Sequence, residues 1–331
     1  MPDLSQVLET LPSNQTERAV LASGVPTRYA IVTPVRDEEA YIGTMIQSIA
    51  DQTTTPEQWI IVDDGSRDRT PEIVTEYARR CPYIELVTLP ARELRLAGGE
   101  GAIPIALQRL DFSRFDYLAR FDADLVFPPQ YITNLLQEFA NDATLGIAGG
   151  MLHVQSKGSF YLESNPDFHV RGALKMYRRQ CFTDIGGLDT QIGWDTIDEV
   201  MAWSKGWTTR SFAALPVIHR RPTGGGIAGR RLYRQRGRAE YFTCSHPLHV
   251  FARALRIVYI ERSITKPVCY LAGFFGSYLR GEARIENPEF IQARHAQQLG
   301  RLRSLFSLNG RLYGQAHLTP FRSKPISGQK G

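Results

Sequence analysis

The sequence predicts an α/β fold with a mixed, mostly parallel sheet and helices on both of its faces. Three observations carry the prediction. Short apolar runs alternate with amphipathic segments, polar turns join them, and the carboxylates gather where the apolar runs end.

Residues 1–28 hold Pro12, Gly24 and Pro26 without a strong period, and read as a leader with room for one short helix. Tyr29-Ala-Ile-Val-Thr33 is the first strand; 39–50, with Ile42, Met45, Ile46 and Ile49 at helical spacing, is the helix it feeds. The unit repeats with a strand over 58–62, a polar turn over 63–70, and a helix from Pro71 to Arg80. Proline suits a first helical turn because the N–H it lacks has no partner there. A third strand spans 83–89, a helix 103–110, and a fourth strand Asp116–Phe121. Beyond these, a buried strand is expected over 145–151, a segment around 169–187 ending in Gly186-Gly187, a helix over 195–205 and a strand over 209–217. Past Arg220 the pattern weakens into a glycine-rich loop (222–229), a helical stretch (248–279) and a tail.

At 331 residues, 43% hydrophobic and 22% charged, the chain is neither disordered nor fibrous. The net charge of +5 hides a split: 22 Lys and Arg against 5 Asp and Glu follow Ser204, so the part before it is acidic. An Arg-rich half suits nucleic acid, a diphosphate or an anionic membrane, all of which offer negative oxygens. The four cysteines have no close pair, which suggests neither a zinc site nor a disulfide framework. Met1 to Gln6 lack the basic start of a signal peptide, so the expected location is cytoplasmic. Pro267–Leu279 is too short to span a bilayer, which needs about 20 residues. The stretch 248–279 mixes Arg253, Arg256, Arg262 and Lys266 with large apolar residues. It suits peripheral contact with the inner face of a membrane, or a helical pair packed on the main domain.

In open sheets ligands bind beyond the carboxyl ends of the strands. Three such ends carry polar residues here: Pro34 to Glu38, Asp63-Asp64, and Asp122-Ala123-Asp124. An Asp-x-Asp pair at a strand end can direct oxygens at Mg²⁺ or Mn²⁺, which complete their shells with phosphates and water; the same pair also occurs as a solvated turn. Asp63-Asp64-Gly65-Ser66 reads either as a capping turn or as a place where Asp64 accepts a hydrogen bond from a base or ribose.

Together, Ile31-Val-Thr-Pro34-Val-Arg-Asp-Glu38, Ile61-Val-Asp-Asp-Gly-Ser-Arg-Asp-Arg-Thr70 and Tyr117-Leu-Ala-Arg-Phe-Asp-Ala-Asp124 resemble family-2 glycosyltransferases of the GT-A fold, over about residues 29–220. The resemblance implies a catalytic domain over 29–220, with a nucleotide-binding part (29–124) and an acceptor part (125–220). A basic loop and helical extension (221–310) and a flexible tail (311–331) follow. It implies that Pro34, Glu38 and Asp64 line the nucleoside pocket, that Asp122 contacts ribose and diphosphate, and that Asp124 holds a divalent cation (Mn²⁺ or Mg²⁺), with Asp122 and His219 as further ligands. Where many relatives have an aromatic-Asn pair before the glutamate, this chain has Arg36-Asp37.

The segment 193–207 occupies the place of the family's Glu-Asp helix. Its aspartate falls on Asp195, and Trp194 replaces the preceding glutamate. Asp195 is the expected base, with a helix N-cap as its structural alternative. Asp198, one turn on, is the second candidate, and Glu199 is expected to be a solvated helix charge. Arg220 and Arg221 can close over a diphosphate. Gln235-Arg-Gly-Arg238 is followed by Ala239 and lacks the tryptophan of processive relatives. The implied activity is inverting transfer from a UDP- or GDP-sugar to a hydroxyl of a glycan or lipid-linked saccharide. A nucleotidyltransferase and a nucleic-acid-binding protein using the basic half are the alternatives, and nucleic acid is not an expected partner because no known module is recognisable.

Overall fold

The structure is a computed structural model that describes residues 28–91, 101–156, 159–163, 165–188, 193–221 and 229–306. The leader up to residue 27, most of the glycine-rich 97–101, the loop 222–228 and the tail 311–331 lie outside the described residues.

Alternation along the first strands sets the layers. In β1 (Tyr29–Val35), Tyr29, Ile31 and Val35 join one core cluster and Ala30 and Val32 the other. After helix α1 (Ile42–Ala50), β2 (Gln58–Asp63) repeats the division, Trp59 and Ile61 against Ile60 and Val62. Helix α2 (Thr70–Arg80), β3 (Ile84–Thr88), α3 (Ile103–Arg109) and β4 (Tyr117–Phe121) follow. The apolar stripes of α1 and α2 cover the first face, and Ile103 and Ala106 of α3 the second. A sheet buried on both faces explains why its strands read as continuous apolar runs.

The second half runs β5 (Leu125–Val126), α4 (Tyr131–Asn141), β6 (Leu145–Ser156), β7 (Ser159–Leu162), β8 (Leu174–Arg178), α5 (Arg179–Asp184), α6 (Trp194–Ser204) and β9 (Thr208–His219). The hydrogen-bonded order is β3-β2-β1-β4-β8-β6-β9-β5, with β7 beside β6. The first four strands are mutually parallel, β8 is antiparallel to both neighbours, and β6 and β9 are parallel. The chain moves outward from β1 to β3 and then returns to the other side of β1 as β4. That reversal leaves a crevice beyond the carboxyl ends of β1 and β4, where ligands bind in such sheets.

The expected helical extension is present as α7 (Gly229–Phe242), α8 (Pro247–Glu261), α9 (Thr265–Leu279) and α10 (Pro288–Phe306). The stretch 248–279 is therefore a helical pair, broken at Arg262, whose φ of 45° is left-handed. Helices α7 and α9 touch backbone to backbone. A Cβ at Gly237 would sit 1.9 Å from the Tyr270 carbonyl oxygen, so only glycine fits. Phe290 of α10 packs on Ile197 and Val200 of α6, joining the extension to the sheet domain.

Candidate active site

The turns after β1 and β2 are laced together. Glu38 N donates to Thr70 Oγ1 (2.8 Å), Asp37 N to Ser66 Oγ (2.9 Å), and Arg67 N back to Asp37 Oδ1 (2.8 Å). Asp37 has φ 55°, a left-handed conformation that short polar residues tolerate. The lacing holds Glu38, which is buried, at the crevice. Beside it, Pro34 pairs in register with Val62 and is half-buried. Asp63 spends one oxygen on Ser66, while the buried Asp64 lies 3.8 Å from Arg36. Arg36 thus reaches the Asp64 carboxylate from the turn after β1.

At the end of β4, Asp122 N donates to the Ala173 carbonyl (2.9 Å), and Asp122 Oδ1 lies 3.3 Å from Arg120. Asp124 is buried, and its carbonyl accepts from Arg220 N (2.9 Å) because β5 runs antiparallel to β9, with Leu125 opposite His219. That register brings His219 and Arg221 to Asp124. His219 Nε2 lies 3.5 Å from Asp124 Oδ1, and His219 Nδ1 3.6 Å from Glu163 Oε2. Arg221 donates through Nε to Asp124 Oδ2 (2.8 Å) and through Nη2 to both Glu38 oxygens (2.7 and 2.8 Å). One guanidinium thus bridges carboxylates from two different strand ends.

Burial pushes the Asp124 carboxyl up, but hydrogen bonds and charge from His219 and Arg221 outweigh it and hold it below the usual range. Burial pulls the His219 imidazole down, yet Asp124 and Glu163 raise it to about 9. The cluster therefore concentrates three carboxylates and neutralises them with two cationic side chains. Among the described residues no group of three or more His, Cys, Asp or Glu is arranged to hold a metal ion by itself. The oxygen and imidazole donors of Asp124 and His219 do suit Mn²⁺ or Mg²⁺ chemically, and such ions take the rest of their shell from phosphates and water.

The surroundings of Asp195 and Asp198 are built around Gly172. A Cβ there would lie 2.8 Å from the Trp194 ring and 3.2 Å from Asp195 Cβ, so glycine lets α6 approach. Arg120, buried, donates to the Gly172 carbonyl and stacks 4.0 Å from the centroid of Trp194. Asp195 is in the first turn of α6 and half-buried; its carbonyl accepts from Lys175 Nζ (2.6 Å), while its carboxylate accepts no hydrogen bond from a described residue. Its capping alternative fails, since Gly193 is the N-cap, in left-handed conformation.

Asp198 is sealed. Its Oδ1 accepts from Lys175 Nζ and Glu199 N (both 2.7 Å) and its Oδ2 from Tyr177 Oη (2.5 Å). Glu199 is not the solvated charge expected from the sequence. It is buried, accepts from Val170 N (2.7 Å), and pairs with His169 (2.8 Å) and Lys175 (3.4 Å). Burial pulls the Lys175 ammonium down, but Asp198, Glu199 and Asp195 outweigh it and raise it. Burial pushes both carboxyls up; Asp198 stays raised, while Lys175 and His169 hold Glu199 low.

Residues 30–191 match the family model described as Glycosyl transferase family 2. They form a family-2 glycosyltransferase domain. The domain is 30% identical over 115 residues to the uncharacterized glycosyltransferase YkcC of Bacillus subtilis (strain 168), covering 34% of this chain and 33% of that protein. It is 31% identical over 124 residues to the beta-monoglucosyldiacylglycerol synthase of Synechocystis, covering 36% and 25%. Such matches span about a third or less of these relatives' length. GalNAc-T7, solved with UDP, GalNAc and Mn²⁺, superposes with a TM-score of 0.53 at 13% identity, over 78% of this chain and 58% of that one. The fold is GT-A, with a helical C-terminal region.

Within the glycosyltransferase domain and the residues just beyond it, Glu38, Asp124 and His219 share one cluster, with Pro34, Asp64 and Asp122 at the adjoining strand ends. Asp195 stands apart from that cluster in the first turn of α6, and Asp198 is walled off from solvent. Sequence reasoning missed Glu163, which lies in none of the quoted motifs, and gave no role to Arg120, inside 117–124, or to Lys175, inside the segment 169–187. It found Arg221 but not its carboxylate partners; period-2 alternation, which sets Arg221 on the same side as His219, was the available signal.

Proposed function

We propose that this protein transfers a sugar, with inversion, from a UDP- or GDP-sugar to a hydroxyl of a glycan or lipid-linked saccharide at the cytoplasmic face of a membrane. The observation that carries the reading is the convergence of Glu38, Asp124, His219 and Arg221 at the switch point of the sheet. Pro34, Glu38 and Asp64 line the nucleoside pocket, and Asp122 faces ribose and diphosphate. Asp124 and His219, with Asp122 beside them, would hold the Mn²⁺ or Mg²⁺ only together with donor phosphates and water, and the ion would supply neutralisation of charge on the diphosphate.

Asp195 takes the acceptor hydroxyl proton as that oxygen attacks the anomeric carbon, while the bond to the diphosphate breaks on the opposite face. The uncommitted carboxylate of Asp195 supports this role; Asp198 already spends both oxygens on Lys175, Glu199 N and Tyr177. Arg221 is 41% exposed and can turn from Glu38 and Asp124 to the diphosphate. The names of the relatives support the class of reaction, and the UDP and Mn²⁺ of GalNAc-T7 are compatible with it.

Asp124→Ala is expected to lose transfer and donor hydrolysis by at least about 10²-fold while remaining folded, as circular dichroism checks. Full activity of that variant with metal chelated would refute the reading.

A further inference from the structure

Helices α8 and α9 each turn an apolar stripe to solvent. On α8 the exposed residues Leu248, Phe251, Leu255 and Val258 recur at spacings of three and four, which is one helical face. At the N-cap of α9 and along it, Ile264, Val268 and Phe275 are exposed four and seven residues apart, again on one helical face. The rings of Phe251 and Phe275, 5.6 Å apart, join the two stripes into one platform. Each helix has 15 residues, so the platform is roughly 22 Å long. Platforms of this kind on a folded chain mark interaction sites.

Charge selects the occupant. Glu261 is the one acidic residue of 247–279, and it is paired with Lys266. Arg256 and Arg262 are exposed at the platform, with no described carboxylate within ion-pair distance. A second copy of the chain would set these arginines against their equivalents. The segment 307–331 would bring Arg311, Arg322, Lys324 and Lys330 and no acid. An anionic surface with an apolar interior satisfies both features, as apolar side chains enter the acyl boundary and arginines meet headgroup phosphates. Among the described residues no helix is long and apolar enough to cross a membrane, so contact through α8 and α9 is with the surface.

We infer that the α8–α9 pair is a docking face for an anionic lipid surface. The inference deepens the membrane location in the proposed function and does not rest on the chemistry of transfer.

The test is co-sedimentation of the full chain with phosphatidylglycerol vesicles and with phosphatidylcholine vesicles. Binding is expected to phosphatidylglycerol, at least tenfold tighter than to phosphatidylcholine, and to weaken as salt is raised. Leu255→Glu/Ile264→Glu alters side chains that are 71% and 77% exposed, so the fold is retained, as a melting curve will verify. It is expected to bind at least tenfold more weakly, and Arg256→Ala/Arg262→Ala on the order of tenfold more weakly. Absence of binding, equal binding to the two lipids, or wild-type binding by either variant overturns the proposal. So does a wild-type dimer, seen by light scattering, that Leu255→Glu/Ile264→Glu splits, because a second copy then owns the face. Donor hydrolysis measured without vesicles reports on the transfer reading alone.

Discussion

Two acidic clusters of this protein solve the same electrostatic problem in opposite ways. Glu38 and Asp124 are neutralised by Arg221, whose side chain is 41% exposed; Asp198 and Glu199 are neutralised by Lys175, whose side chain is 0% exposed. In the first, the carboxylates are buried but the cation itself is partly exposed to water. In the second it is enclosed, with further bonds from Tyr177, His169 and Val170 N using up the carboxylate oxygens. A carboxylate pair is available for chemistry only where its counter-charge can leave. Proximity in sequence does not reveal this, since Asp195 and Asp198 lie one turn apart on α6 and only Asp198 is sealed.

Lys175→Met is the largest break of the comparison. It keeps most of the side-chain volume but strands two buried carboxylates, at a cost of about 3–5 kcal/mol. Urea unfolding should show an unfolding free energy lower by that amount, read as the midpoint shift times the m value; a loss under about 1 kcal/mol would mean that the cluster is less closed than its burial indicates. Asp195→Asn comes next and should divide activity from stability. Transfer is expected to fall by about 10²–10⁴-fold, with the unfolding midpoint unchanged because Asp195 makes no side-chain hydrogen bond to a described residue. The assignment of the base to Asp195 fails if Asp195→Asn retains transfer while Asp198→Asn, at the wild-type midpoint, loses it.

The parallel half of the sheet was legible because a strand buried on both faces must be apolar throughout. Tyr29-Ala-Ile-Val and Trp59-Ile-Ile-Val announce themselves in this way, and the carboxylates that end them stand out against apolar neighbours. The short β5 was not legible, since two residues have no period. Yet β5 decides the site: its antiparallel pairing with β9 sets Leu125 opposite His219 and so brings Arg221 to Asp124. Glu199 was misread for a related reason. Its place on α6 was correctly read as helical, but that α6 turns both Asp198 and Glu199 inward depends on Lys175, which arrives from β8, and on the backbone at Val170. Helical spacing describes one element, whereas burial belongs to the pair of elements that meet.

The smallest stability effect should come from Arg221→Ala, and it tests the open cluster most directly. Although the variant leaves the buried Glu38 and Asp124 without their bridge, the guanidinium it removes is already partly exposed and His219 remains beside Asp124. The expected loss is therefore about 1 kcal/mol or less, as for other ion pairs in contact with solvent. Removing the guanidinium also removes the competitor for the Asp124 oxygen. A divalent cation that binds only the folded state raises the melting temperature in proportion to the logarithm of its occupancy ratio. Mn²⁺ should accordingly raise the melting temperature of Arg221→Ala more than that of the wild type, and leave Lys175→Met no better protected than the wild type. If Mn²⁺ shifts neither protein, or if Arg221→Ala unfolds as readily as Lys175→Met, then the crevice cluster is as structural as the buried one, and Arg221 is a fixed strut between two strand ends.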